Sequence, residues 1–279
     1  MTEVVDALVA FAQDHGVTVN EPIVLSGTSN LVVHLDPAPV IARVPNVTMA
    51  GRDRPHVSLA RELAMCDHLH NLGVATTPPS AELPPGPHLV GDRWVSFVDY
   101  VPLTPVDDGD AAEAGRGLAD VIEGLRSLDD PDGLFDRSLT DEAEVLLSRL
   151  EGRIDDDDWR LLVDWVDEAM IDSIDTQPVH ADPHRANVGR RADGALVWFD
   201  FDDAVNDSVM VDLATLQRSW PEAGAVACAR FDVDPRDPEF VRYVEQREAW
   251  GSVWAQLFAL ELGERFTAGA AEALDRRRQ

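Results

Sequence analysis

The stretch PVHADPHRANVGRRADGALVWFDFDDA, residues 178–204, sets five Asp and two His around the apolar run 195–199. A carboxylate taken out of water is costly unless a metal or a hydrogen-bond network compensates it. Any fold of this chain must therefore bring these acids to a ligand or into such a network. Arg190-Arg191-Ala192-Asp193-Gly194 ahead of Val197-Trp198-Phe199 carries the signal of a hairpin turn. Pairing its arms returns Asn187 and Asp200 to neighbouring positions, and Asp182 precedes Asn187 on the same loop. Two carboxylates and one amide then converge at one end of a hairpin. Oxygen donors of this kind suit a hard cation such as Mg²⁺, completed by water and phosphate oxygens.

The remaining sequence changes its period once. Residues 23–25, 31–35 and 40–44 are short β-branched runs, divided by Ser26-Gly27-Thr28-Ser29-Asn30 and by Asp36-Pro37-Ala38-Pro39. Leu59, Leu63, Cys66 and Leu69 recur at helical spacing, and Gly73 fits a helix stop. Gly91-Asp92 reads as a hairpin turn between residues 89–90 and 94–98. From about Asp107 the pattern is helical. Leu118, Val121, Ile122, Leu125 and Leu128 form one apolar stripe, and Val145, Leu146, Leu150 and Ile154 another. The acids at 155–158 suit a helix N-terminus, where negative charge is favoured; the glycine and spacing of an EF-hand loop are missing. Residues 240–266 read as further helix, with Trp250, Trp254, Phe258 and Leu262 as core. The order is a small β-rich lobe, a connector with Pro102 and Pro105, and a larger helical lobe, and ligands favour clefts between lobes.

Composition limits the partners. The 279 residues are 45% hydrophobic, enough to fill a core. The N-terminus opens acidic, without the basic and apolar regions of a secretory signal, and no apolar run is long enough to span a membrane. Cys66 and Cys228 have no metal-type spacing, so a reduced, cytoplasmic setting is expected. The net charge of −29 argues against nucleic acid and suits a cationic small molecule, although acid spread over the whole chain weakens that inference. Every basic residue other than His is Arg, so a mechanism that needs lysine must be rebuilt with arginine.

The motif H-A-D-P-H-R-A-N, followed by F-D-F-D-D-A and then Asp212-Leu213-Ala214, resembles the aminoglycoside phosphotransferase family. These small-molecule kinases share a protein-kinase-like fold and act also on choline, homoserine, sugars and macrolides. The resemblance implies an α+β bilobal chain. Its small antiparallel-sheet N-lobe would span 1–98, its connector 99–105 and its mainly helical C-lobe 106–279. By position, Asp182 matches the catalytic Asp that orients the attacking hydroxyl. Asn187 and Asp200 match magnesium ligands. His180 matches a brace of the loop, His184 a loop residue near the cleft, and Asp212 a brace of the loop backbone from the following helix. Asp202 reads as a residue behind the metal or facing substrate. Gly27, Thr28, Ser29 and Asn30 match the loop that covers the phosphates. Arg43 stands where a kinase has its phosphate-binding Lys, Glu62 matches its partner on the helix, and Val98 and Tyr100 lie in the linker that meets the base. Two departures are Arg43 itself and Leu125-Arg126, where the family usually has Leu-His.

The resemblance implies transfer of the γ-phosphoryl of ATP or GTP, with Mg²⁺, to a hydroxyl of a small molecule such as an aminoglycoside, another antibiotic, a sugar or an amino alcohol. Two other readings stand beside it. One is a kinase fold kept as a catalytically weak or inactive binding protein, which Arg43 leaves open. The other is a metal-dependent hydrolase using His180, Asp182 and His184, for which the chain offers no further clustered His or Cys. Oligomeric state is open.

Overall fold

A computed structural model describes residues 2–130 and 132–278. Helix α1 (Thr2–Asp14) opens the chain and buries Leu8 and Ala12 against a five-stranded antiparallel sheet. The strands are β1 (Val19–Gly27), β2 (Asn30–Pro37), β3 (Val40–Pro45), β4 (His88–Val90) and β5 (Arg93–Asp99), in the order β1-β2-β3-β5-β4. The three β-branched runs and the Gly91-Asp92 turn fall where the sequence placed them. Helix α1 was not expected. Val4, Val5, Leu8, Phe11 and Ala12 form its apolar face, which packs in one core with Val33, Leu35 and Phe97.

All of β3 is buried, because it is the central strand of the sheet and has helix α3 (Pro55–Asn71) near one face. A short helix, α2 (Val47–Gly51), leads into α3, whose Pro55 sits at the first helical position. Gly73, at φ 78°, ends the turn after it, as expected of a glycine stop. Helix α3 works in two directions. Leu63 packs with Ile41 and Val98 of the sheet, whereas Met65, Cys66 and Leu69 join the core of the helical body. That shared helix ties the two lobes together.

Strand β6 (Leu103–Pro105) leaves the connector, and the body follows: α4 (Ala111–Leu125), α5 (Leu139–Leu150), α6 (Asp156–Ala169), β7 (Gln177–Val179), β8 (Val188–Arg191), β9 (Leu196–Trp198) and β10 (Val205–Asp207). Helices α7 (Val209–Ser219), α8 (Pro221–Arg230), α9 (Pro238–Leu262) and α10 (Glu264–Arg278) complete it. Asp155 caps α6 by accepting from Asp157 and Asp158 N–H, so the acidic run is a helix start. The helix expected over 240–266 is two helices, because Gly263 at φ 76° breaks it. Strands β8 and β9 form the expected hairpin, with Val188 opposite Trp198 and with β6 on the other edge of β8.

Gly224 lets α8 lie against α7, the helix that carries Asp212. A Cβ there would fall 2.3 Å from Gln217 Cα and 2.6 Å from Gln217 N, both backbone atoms. Gly224→Ala should destabilise the protein by about 1–3 kcal/mol through overpacking, lowering Tm by about 2–4 °C per kcal/mol. Thermal unfolding followed by circular dichroism checks this; an unchanged Tm would mean that the two helices separate freely.

Candidate active site

The loop after β7 is shaped by one buried carboxylate. Asp212 on α7 is fully buried and accepts from His180 N–H at 3.0 Å and Ala181 N–H at 2.7 Å. These bonds hold Ala181 in the left-handed region at φ 64°. The His180 ring is also fully buried, stands 4.4 Å from the Phe201 ring and has Nε2 3.2 Å from the Phe199 carbonyl. His180 is thus placed behind the loop, between it and the strand that leads to Asp200.

Asp182 emerges from this frame with both oxygens engaged. Oδ2 lies 3.2 Å from His184 Nε2, and Oδ1 accepts from Arg247 Nη2 at 3.2 Å. Ala186 N–H donates to His184 Nδ1, which leaves the Nε2 proton facing Asp182. Burial opposes the Asp182 charge, but His184 and then Arg247 outweigh it and hold the carboxyl below its ordinary range. Both nitrogens of His184 are therefore committed, and His180 Nε2 faces a backbone carbonyl. Among the described residues, no group of three or more His, Cys, Asp and Glu side chains is placed to hold a metal. The His-Asp-His ligand set of a hydrolase does not form.

Asn187, Asp182 and Asp200 do converge. Asn187 Nδ2 donates to the Asp182 carbonyl at 3.0 Å, and Phe199 N–H donates to the Asn187 carbonyl at 3.0 Å, so the start of β8 and the end of β9 lie side by side. Asp200 follows at φ 66° with its side chain one-third exposed. The Asn187 amide oxygen and the second Asp200 oxygen remain available. Two hard oxygen donors beside Asp182, with room for water and phosphate, fit Mg²⁺, which is commonly held by one or two carboxylates plus substrate oxygens.

Across the cleft, Arg43 on β3 reaches Asp200 Oδ1 at 2.5 Å and Glu62 Oε2 at 3.2 Å. Burial opposes the Arg43 charge, but Asp200 and Glu62 outweigh it and hold its pKa above the ordinary arginine value. Burial pushes Glu62 up to about 7, with Arg43 opposing. Asp202 meets Arg52 Nη1 at 2.8 Å and accepts from Asn30 Nδ2 at 3.1 Å, and Asp203 pairs with Arg52 Nη2. Asp202 therefore anchors the loop after β9 to the first lobe.

The expected phosphate loop divides. Ser26, Ser29 and Asn30 line a cleft of ≈ 380 Å³ together with Arg43, Val98, Tyr100, Asn187 and Asp200. Gly27 and Thr28 are not among its lining; their carbonyls accept from Asn46 Nδ2. The Asn30 side chain is spent on Asp202 and Thr48 rather than turned outward. Tyr100 stacks on His34 with ring centroids 3.8 Å apart. Arg52, Arg247, Trp250 and Trp254 were not expected at the site. Trp250 and Trp254 are core residues, as expected, but they also line a chamber with Asp182, Asp200 and Asp203. Arg247, Trp250 and Trp254 recur at helical spacing on α9, a face that carries charge among aromatics; Arg52 lies in a loop and gives no local signal.

The sequence profile of the phosphotransferase enzyme family, APH, matches residues 22–232, and the chain belongs to that family. Its fold is the bilobal protein-kinase-like fold. Choline kinase LicA from Streptococcus pneumoniae superposes with a TM-score of 0.71 at 14% identity, over 99% of this chain and 97% of that one. Amicoumacin kinase hAmiN, in complex with AMP-PNP, Ca²⁺ and Ami, gives 0.65 at 16% identity over 99% and 95%. Macrolide 2′-phosphotransferase MphH from Brachybacterium faecium gives 0.58 at 18% identity over 96% and 98%. No curated protein sequence matches the chain significantly.

Burial pushes Asp203 and Asp212 up to about 7, as it does Glu62. A folded-state pKa above the unfolded value gives stability that is full below the unfolded pKa and is lost as pH rises through the folded one. His184, raised by Asp182 against its burial, adds the same sign, whereas His180, lowered by burial, opposes it. Stability is therefore expected to fall between pH 5.5 and 8, measured by urea unfolding at each pH. A flat or rising profile would contradict the burial of these carboxyls. Asp212→Ala strips the acceptor from two buried N–H groups and should cost about 2 kcal/mol or more.

Proposed function

We propose that this protein transfers the γ-phosphoryl group of ATP or GTP to a hydroxyl of a small molecule. The observation that carries the reading is the meeting of Asp182, Asn187 and Asp200 where the ≈ 380 Å³ cleft ends. The lobes divide, in this reading, at 1–98, 99–105 and 106–279. The base lies against Val98 and Tyr100, and Ser29 and Arg43 face the phosphates. Glu62 holds Arg43, and His180 and Asp212 hold the loop. Asn187 and Asp200 would ligate Mg²⁺, which neutralises phosphate charge and aligns the terminal group when bound. Asp182 accepts a hydrogen bond from the attacking hydroxyl and aims its oxygen at the γ-phosphorus. A new P–O bond forms there, the bond to the β–γ bridging oxygen breaks, the diphosphate leaves, and the proton passes to Asp182. A carboxyl with a lowered pKa is a weak base, so its contribution is mainly orientation, which suits a reaction with little proton transfer before bond breaking.

Arg43 replaces a point charge with a planar fork that grips carboxylate and phosphate alike. Its grip on Asp200 also gives the binding-protein reading its one support, since an arginine already occupies part of the metal ligand. Aminoglycosides, other antibiotics, sugars and amino alcohols all offer the required hydroxyl. The buried free thiols of Cys66 and Cys228 favour a reducing, cytoplasmic setting. Among the described residues, no helix is long and apolar enough to cross a membrane.

Calorimetric titration of ATP and of GTP, with and without Mg²⁺, tests the reading. Binding should require Mg²⁺ and be lost in Asp200→Ala. Asp182→Asn should keep nucleotide affinity and lower kcat by about 10²–10⁴-fold. Failure of both nucleotides to bind would overturn the kinase in favour of the binding protein.

A further inference from the structure

Asp182 lies where separate spaces meet. The nucleotide cleft shares Ser29, Asn30 and Asp200 with the inner chamber of ≈ 200 Å³. Asp182 lines that chamber and also an outer pocket of ≈ 370 Å³ between the catalytic loop, α7 and α9. The outer pocket shares only Ala186 with the nucleotide cleft. On the kinase reading, on which this inference rests, the terminal phosphate lies at the Asp200 end. The acceptor must then reach Asp182 from a side the nucleotide leaves free, and the outer pocket is such a side.

The charge of this pocket opposes that of the chain. His184, Arg185, Arg218 and Arg247 line it, and Asp182 is its one lining carboxylate, in a protein of net charge −29. The arginines have partners outside it. Arg185 Nη1 lies 2.6 Å from Asp108, whose side chain is 90% exposed. Arg218 makes a single contact, Nε to Glu248 at 3.3 Å, and its two terminal nitrogens have no protein partner among the described residues. Exposed pairs of this kind hold weakly and yield to a better anion. Arg247 is buried, lies 4.3 Å over the Trp250 ring, and has Nε and Nη1 without hydrogen-bond partners. Its one ion pair, to Asp182, is shared with His184, and Asp203 and the buried Asp212 also act on its charge from farther off. Among its lining side chains the pocket therefore has more cationic than anionic groups beside Asp182.

We propose that the acceptor carries an anionic group, a carboxylate or a phosphate, which seats on Arg218 with Arg185 and Arg247 while its hydroxyl turns to Asp182. Guanidinium forks match either anion in bidentate fashion. A cationic acceptor, which the whole-chain charge suggests, would meet guanidinium groups here. Only local charge acts at this range, because distant surface carboxylates are screened.

Isothermal titration with glycerate and with glycerol 3-phosphate, each beside glycerol and ethanolamine, tests the proposal on protein saturated with AMP-PNP and Mg²⁺. At least one anion should bind saturably, at least tenfold tighter than glycerol, with ethanolamine weaker still. Which anion binds distinguishes carboxylate from phosphate. Arg218→Glu should weaken that anion at least tenfold, whereas Arg160→Glu, an exposed arginine on α6, should not. With ATP, the preferred anion should be phosphorylated, and Arg218→Glu should raise its KM while the KM for ATP holds. Tighter binding of ethanolamine, absence of anion binding, or an anion affinity indifferent to Arg218→Glu would each overturn the proposal. The titrations are repeated without nucleotide, so loss of AMP-PNP binding, which fails the kinase reading, is scored apart from loss of anion binding.

Discussion

The site depends on arginine charge carried across the cleft from the smaller lobe. Arg43 spans Glu62 and Asp200, and Arg52 spans Asp202 and Asp203. Both guanidinium groups are buried, and so are Glu62 and Asp202. Each of these charges would be prohibitively costly alone, and removal of one partner from such a pair typically costs about 3–5 kcal/mol. The consequence is geometric. The loop 200–203, on the larger lobe, cannot relax away from β3 and the α2–α3 segment without stranding charge. The lobes are therefore registered where Arg43 meets Asp200 and Arg52 meets Asp202.

The same exchange of partners gives the site its chemistry. Asp200 holds Arg43 with one oxygen and leaves the other without a protein partner among the described residues. Asp182 is fixed by His184 and Arg247, which lower its basicity and define its direction. Asp212 spends its charge entirely on two backbone N–H groups. Three carboxylates within one stretch of chain thus have three different tasks, set by what lies opposite each one. Arginine supplies most of the opposing charge, in keeping with a chain that has no lysine.

Much of this was legible locally. The hairpin after Asn187 announced itself through Asp193-Gly194, and β-sheet pairing then had to bring Asn187 beside Asp200. The family resemblance set Glu62 against Arg43, and the two lie 3.2 Å apart. Helix α1 was not expected, although Val4, Val5, Leu8, Phe11 and Ala12 recur at helical spacing. Nor was the break at Gly263, since an apolar period continues on both sides of a single glycine. The carbonyls of Gly27 and Thr28 are held by Asn46, a partner nearly twenty positions away that local pattern does not announce.

The sequence by itself determined the two-lobe order, the crowding of acids at a hairpin end, and the demand for positive charge to compensate them. Spacing along a strand or turn is enough for that, because neighbours in sequence are neighbours in space. Only the tertiary structure decided which arginine meets which acid. Arg52, distant in sequence from Asp202, and Arg247, distant from Asp182, reach them only once the lobes close and α9 crosses the loop. It also decided that a chain of net charge −29 lines a pocket beside Asp182 mostly with cationic groups. Screening makes such a pocket depend on the few groups that line it rather than on the sum over the chain.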